Sequence, residues 1–209
     1  MRITYIFITL LTLLFNQYQQ PSRRFLTEED KETCISVFEK YLSVEKEVID
    51  ANLEIVREMY SSSDVSADET ESIVNEIVEN IQHVNVVLEE CIELVKQNEV
   101  EQVIEILENE RVNIYAHPAN NTSTCLQLHI AMAMLYAATV ETEEEYLSKF
   151  IELFEYNRLI IEVAQANQGR IHPEYEFVLS ELYDAYDILG REKERQEVED
   201  TLYQLLSEE

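Results

Sequence analysis

At 209 residues with 46% hydrophobic content, the chain is long enough to bury a continuous core. Two glycines and three prolines leave almost no material for hairpin turns, which excludes a sheet-rich fold and predicts an all-α one. With 43 acidic residues against 15 basic ones the net charge is −28, which disfavours nucleic acid and anionic membranes and leaves a protein or peptide partner, basic by preference.

The first residues place Arg2 ahead of a run without charge from Ile3 to Phe15, followed by polar residues to Gln20. That run is shorter than the roughly 20 residues needed to cross a bilayer, so 1–20 reads as a cleaved signal peptide and no stable membrane span is expected. The closing residues, "QLLSEE", carry no retention signal of the Lys-Asp-Glu-Leu type, so the expected location is secreted, or the lumen of the secretory pathway.

Downstream, Thr27 followed by Glu28, Glu29 and Asp30 is a helix start, a capping hydroxyl with acids where the helix dipole favours them. The pattern predicts a helix from there to about Tyr60. "SSSDVS" then breaks it, and Ser66 with Glu69 forms a capping box for a second helix reaching Gln97. On that second helix Ile77, Ile81, Val84, Leu88, Cys91 and Val95 alternate spacings of four and three, a heptad seam. Residues 21–97 therefore read as a long antiparallel hairpin folded about Ser62 and Ser63, with Phe38 facing Leu88, Tyr41 facing Val84 and Val48 facing Ile77. The same register sets Cys34 level with Cys91, which predicts a disulfide in an oxidising compartment and leaves Cys125 as the odd cysteine.

Residues 98–209 read as helix pairs. A third helix runs through "EVEQVIEILENERVNIY" to His117-Pro118, and a polar loop comes next in which Asn120 and Asn121 are overlapping glycan acceptors. "CLQLHIAMAMLYAA" is apolar almost all round and should be the most buried element. Thr142 with Glu145 caps a further helix that ends near Gly169, and after His172-Pro173 come "EYEFVLSELYDAYDIL", a stop at Gly190 and a last helix to Leu206. A shift of 47 lays Leu135-Tyr136 on Leu182-Tyr183 and Ile151 on Val198, each unit beginning at a His-Pro. Proline is tolerated in a first turn, where its missing N–H has no partner to lose, and bars the preceding helix from continuing.

Helix pairs so arranged resemble tetratricopeptide repeats, with Leu179, Leu182, Tyr183, Tyr186 and Gly190 following the order of that motif. The segment "QGRIHPEYEFVLSELYDAYDILGREKE" is most similar to the longer repeats of kinesin light chains. It also resembles the carboxy-terminal helical domain of the SET and MYND methyltransferases, over about Leu88 to Leu206. The resemblance implies an α-solenoid and none of the methyltransferase activity, because neither the cysteine-rich zinc module nor a catalytic segment of those enzymes is in the sequence.

His83, His117, His129 and His172 form no H-x-x-x-H or H-E-x-x-H pair, and three separated cysteines form no C-x-x-C, so no metal site is predicted. There is no G-x-S-x-G and no phosphate-cradling glycine loop, so no catalytic residue and no cofactor is assigned and the chain does not read as an enzyme. Paired acids such as Glu89-Glu90 are solvated faces. His117 and His172 read as loop residues that set the repeat starts, and His129 as a core histidine. Among the aromatics, Phe177 and Tyr183 read as core, while Tyr175 and Tyr186, flanked by acids, read as half-exposed candidates for partner contact. The resulting expectation is a secreted acidic helical-repeat protein that acts as a non-enzymatic protein-binding or scaffold module. The alternative is a secreted helical carrier of a small apolar ligand or lipid, suggested by "IAMAMLYAA"; it requires an enclosed apolar cavity above about 300 Å³.

Overall fold

The computed structural model describes residues 26–44, 46–61, 65–169 and 171–207, and every regular element among them is an α-helix. The expected signal peptide at 1–20 and the hairpin apex at Ser62 and Ser63 lie outside the described residues. The chain divides into two compact units, Glu28–Leu128 and a second drawn from His129–Glu209 with Leu26 and Thr27.

In the first unit, α1 (Glu28–Leu42) and α2 (Lys46–Ser61) both pack on α3 (Ala67–Gln97), and α4 (Val100–Asn109) and the short α5 (Arg111–Tyr115) complete the packing. The expected capping box is present: Glu69 N–H donates to Ser66 Oγ at 3.3 Å and Ser66 N–H donates to Glu69 Oε2 at 3.0 Å. Hydrogen bonds from the Ser66 backbone and hydroxyl hold the Glu69 carboxyl below its usual range. The helix ends where expected, with Asn98 in the left-handed region at φ 64°, its N–H donating to Val95 O. Along the seam, Ile81, Val84, Leu88, Cys91 and Val95 are buried, while Ile77 is half-buried.

Two expected helices are interrupted. The first stops at Leu42 and resumes at Lys46, and Ser43 Oγ donates back to Lys40 O at 3.1 Å, a local bond that competes with helix continuation. The interruption resets the rotation of α2 relative to α1: Phe38 and Tyr41 are buried as the register requires, but Val48 is 46% exposed and Leu53 is the buried apolar residue of α2. The third helix breaks at Glu110, whose carboxylate accepts from Asn113 Nδ2 at 2.7 Å and pairs with His83 Nε2 at 2.8 Å.

The cysteine pairing is also corrected. Cys34, Cys91 and Cys125 are all buried, and no disulfide joins any two of them. A shared level along two helices fixes one coordinate only, whereas a disulfide also needs the Cβ atoms within about 4 Å on axes that stand roughly 8–10 Å apart. Burial pushes each thiol up to about 12, with Asp30 adding to the effect at Cys34 and Glu90 at Cys91.

In the second unit the remainder of α6 (Thr122–Thr139), α7 (Glu143–Gln168), α8 (Tyr175–Ile188) and α9 (Glu192–Ser207) succeed one another, with α7 packed on α8 and α8 on α9. Thr142 Oγ1 accepts from Glu145 N–H at 3.2 Å as expected, and Gly169 and Gly190 take the left-handed conformation that stops α7 and α8. The core holds a stacked Phe150–Phe154 pair with ring centroids 4.1 Å apart, and Phe177 tilts against Phe154 at 6.2 Å. Equivalent positions 47 residues apart share burial: Ala131 with Val178, Met132 with Leu179, and Leu135 with Leu182 are all buried.

The two His-Pro turns are built alike. His117 Nδ1 accepts from Ala119 N–H at 3.1 Å and His117 O accepts from Asn120 N–H at 2.8 Å. His172 Nδ1 accepts from Glu174 N–H at 3.4 Å and His172 O accepts from Tyr175 N–H at 3.0 Å. In each, proline occupies the second position of a β-turn, for which its fixed φ is suited, and the imidazole satisfies a further backbone donor.

The buried thiols and the buried turn histidine each have a measurable consequence. Because the thiolate is the reactive form, maleimide modification of native protein should be slower than that of unfolded protein by roughly a hundredfold or more at the same pH, with three thiols labelled on unfolding. Fewer than three, or a cystine in a peptide map, would overturn the assignment of three reduced thiols. At His117, burial lowers the imidazole from 6.5 to about 4. Between those values the unfolded chain binds a proton that the folded chain does not, so stability should fall as pH drops from about 6.5 to about 4. In His117→Asn, whose side-chain oxygen keeps the backbone acceptor without a titrating ring, that component should vanish. The two proteins' urea-unfolding free energies should diverge by about 2 kcal/mol across this window. Parallel profiles would show that His117 titrates normally.

Candidate interaction surface

The residues expected to contact a partner, Tyr175 and Tyr186, are 5% and 3% exposed, and Phe177 and Tyr183 are the half-buried pair instead. The reversal has a simple cause. Glu174, Asp187 and Asp184 flank the two tyrosines in sequence, but neighbours on a helix point in different directions, so acids beside an aromatic do not place it in solvent. Only the hydroxyls reach polar surroundings, and both end on acids of α7.

Those acids form an ordered ladder. Glu155, Arg158 and Glu162 lie three and four residues apart, on one face of α7. Tyr186 Oη donates to Glu155 Oε1 at 2.7 Å, and Tyr175 Oη donates to Glu162 Oε1 at 2.7 Å. Arg158 Nε donates to Glu162 Oε1 at 2.9 Å and its Nη1 stands 3.6 Å from Glu155 Oε1, joining the two rungs. The Arg191 guanidinium covers the Tyr186 ring at 4.9 Å. Burial, with the hydrogen bond to the Glu162 carboxylate, pushes the Tyr175 phenol up to about 12, and burial with the bond to Glu155 raises Tyr186 likewise. Both remain neutral donors at physiological pH. The i, i+3, i+7 spacing of Glu155, Arg158 and Glu162 is visible in the sequence, but their tyrosine partners from the next helix are not.

Where this ladder meets the end of α7, Glu162, Gln165, Ala166, Gly169 and Ile171 line a depression of about 470 Å³ that lies open to solvent. Gln165 Nε2 is buried, with no hydrogen-bond partner among the described residues. Gly169 closes α7 in the left-handed conformation, its N–H donating to Gln165 O. Apolar Ile171, Leu159 and Val163 are exposed in the same part of the unit. On α8, burial with Asp184 nearby pushes the Glu181 carboxyl up to about 8.

The glycan acceptors differ in their surroundings. Asn120 is engaged at both ends of its amide: Oδ1 accepts from buried Tyr41 Oη at 2.8 Å and Nδ2 donates to Tyr115 O at 3.0 Å. Asn121 is exposed and caps α6, its Oδ1 accepting from Ser123 and Thr124 N–H at 3.1 Å each. His129 is buried edge-on to Tyr156 at 5.7 Å. Among the described residues no group of three or more His, Cys, Asp or Glu side chains is placed to hold a metal ion, and no helix is long and apolar enough to cross a membrane.

No family model, curated protein or solved structure matches this chain.

Proposed function

We propose that this protein is a secreted, non-enzymatic binding or scaffold module of stacked, tetratricopeptide-like helix pairs, whose partner is a protein or peptide. The observation that carries the reading is the depression at the end of α7. It is open rather than enclosed, and its Ala166 and Ile171 offer apolar contact beside the polar Glu162 and Gln165 side chains. The carrier alternative draws less support. Its seat would be the apolar helix α6, where Ile130 to Tyr136 are all buried, so its methionines read as core filling.

Native mass spectrometry of the full chain purified from an expressing eukaryotic cell tests this choice. The binding module should show polypeptide mass plus glycan alone. A stoichiometric lipid that extracts into organic solvent would overturn the reading in favour of the carrier.

Secretion and glycosylation generate a further expectation. The protein should reach the medium carrying one N-glycan on Asn121, because Asn121 is exposed whereas the Asn120 amide nitrogen that a glycan would occupy is already engaged with Tyr115 O in a part-buried site. Ser123→Ala, which removes only the Asn121 triplet, should abolish the mass lost on deglycosylation, and Thr122→Ala should leave it. Retention inside the cell, or the opposite pattern, would overturn this assignment.

A further inference from the structure

Helix α2 carries an apolar face that is exposed to solvent. Val48, Ile55 and Met59 are 46%, 54% and 65% exposed, and with exposed Ala51 they fall at i, i+3, i+7 and i+11, a continuous outward stripe. Leu53, on the other side of the helix, is buried, and α2 packs on α3. Beside the stripe runs a row at a strict spacing of four, Asp50, Glu54 and Glu58, all exposed. Between residues 46 and 80 only Lys46 and Arg57 are basic, and Arg57 is bound by Glu54 at 3.6 Å and Glu71 at 2.9 Å.

We infer that this face of α2 docks a basic amphipathic helix of a partner protein, its apolar side on Val48, Ile55 and Met59 and its Lys or Arg flank along Asp50, Glu54 and Glu58. Charge decides among the occupants that an apolar stripe would accept. A second copy of this chain would bring two acidic rows together in a molecule of net charge −28. An anionic bilayer would meet the same repulsion. A helix with apolar residues at three- and four-residue spacing and basic residues along one edge satisfies both the stripe and the row. The stripe spans roughly three helical turns, about 16 Å, so about three to four turns of partner suffice.

The inference deepens the binding-module reading, and the two fail separately. A lipid found by native mass spectrometry removes the module whatever α2 binds, whereas loss of α2 binding with a lipid-free mass removes this docking face alone. The test uses the full chain and a labelled synthetic peptide of roughly eighteen residues made of Leu and Lys at helical spacing, with fluorescence anisotropy as the readout. Saturable one-to-one binding should weaken at least about tenfold in Ile55→Ser with Met59→Ser, since each loses an apolar contact in the docked state. Glu54→Gln with Glu58→Gln should flatten the salt dependence, and Val112→Ser, at a site 80% exposed elsewhere in the same unit, should leave affinity unchanged. Circular dichroism confirms that the exposed substitutions leave the fold intact. Equal binding by the Ile55/Met59 variant would mean attraction to the acidic surface at large and would overturn the inference. So would equal binding of a Leu/Glu peptide, a dimer in sedimentation velocity that the variant abolishes, or adsorption to phosphatidylserine vesicles that it abolishes.

Discussion

The free backbone groups at helix ends are the constraint on which the rest of this structure depends. Each helix leaves about four N–H groups and four carbonyls without an internal partner, and a chain with two glycines and three prolines has few backbone devices for stopping and turning. Side chains supply them. Ser66, Asn121 and Thr142 accept first-turn N–H groups, and His117 and His172 do the same within the turns that precede α6 and α8. Asn98 takes the left-handed position that glycine takes at 169 and 190. The lengths of the helices, and so the places where their apolar stripes begin and end, are set by these bonds.

Local bonds of this kind are legible in a sequence. The Ser66–Glu69 box, the Thr142 cap, the glycine stops and both His-Pro turns are chemistry between residues close together in the chain, and those residues reveal them. The buried seam from Ile81 to Val95 is periodic and therefore also visible. The break at Ser43 is less visible, because one serine back-bonding to Lys40 carries no punctuation stronger than serines elsewhere in helices. Its effect is large, since it places Val48 in solvent rather than in the expected core. Cys34 and Cys91 show the related limit: periodicity gives level and face, and the distance between side chains across an interface is a tertiary quantity.

The candidate surface is legible in composition more than in position. Tyr175 and Tyr186 stand beside acids in the sequence, but the acids that matter to them are Glu162 and Glu155, 13 and 31 residues away. Their rings complete the α7–α8 packing while their hydroxyls fix the carboxylates of the ladder. Arg158 bridges the two acids, so three α7 side chains and the two tyrosines hold one arrangement that ends at the open depression.

Charge and exposure bear on binding together. An excess of acid on a helical protein is ordinarily a solubility device, and the scattered exposed acids of α3, such as Glu89 and Glu90, need no other account. On α2 the pattern differs, because the described acids Asp50, Glu54 and Glu58 lie in one row and the neighbouring row is apolar and also exposed. A purely solubilising surface would interrupt an apolar stripe with charge, since an unbroken one invites association. Here the stripe is continuous and the charge lies alongside it. That arrangement leaves the apolar contact available while repelling the acidic copies and anionic surfaces that would otherwise compete for it.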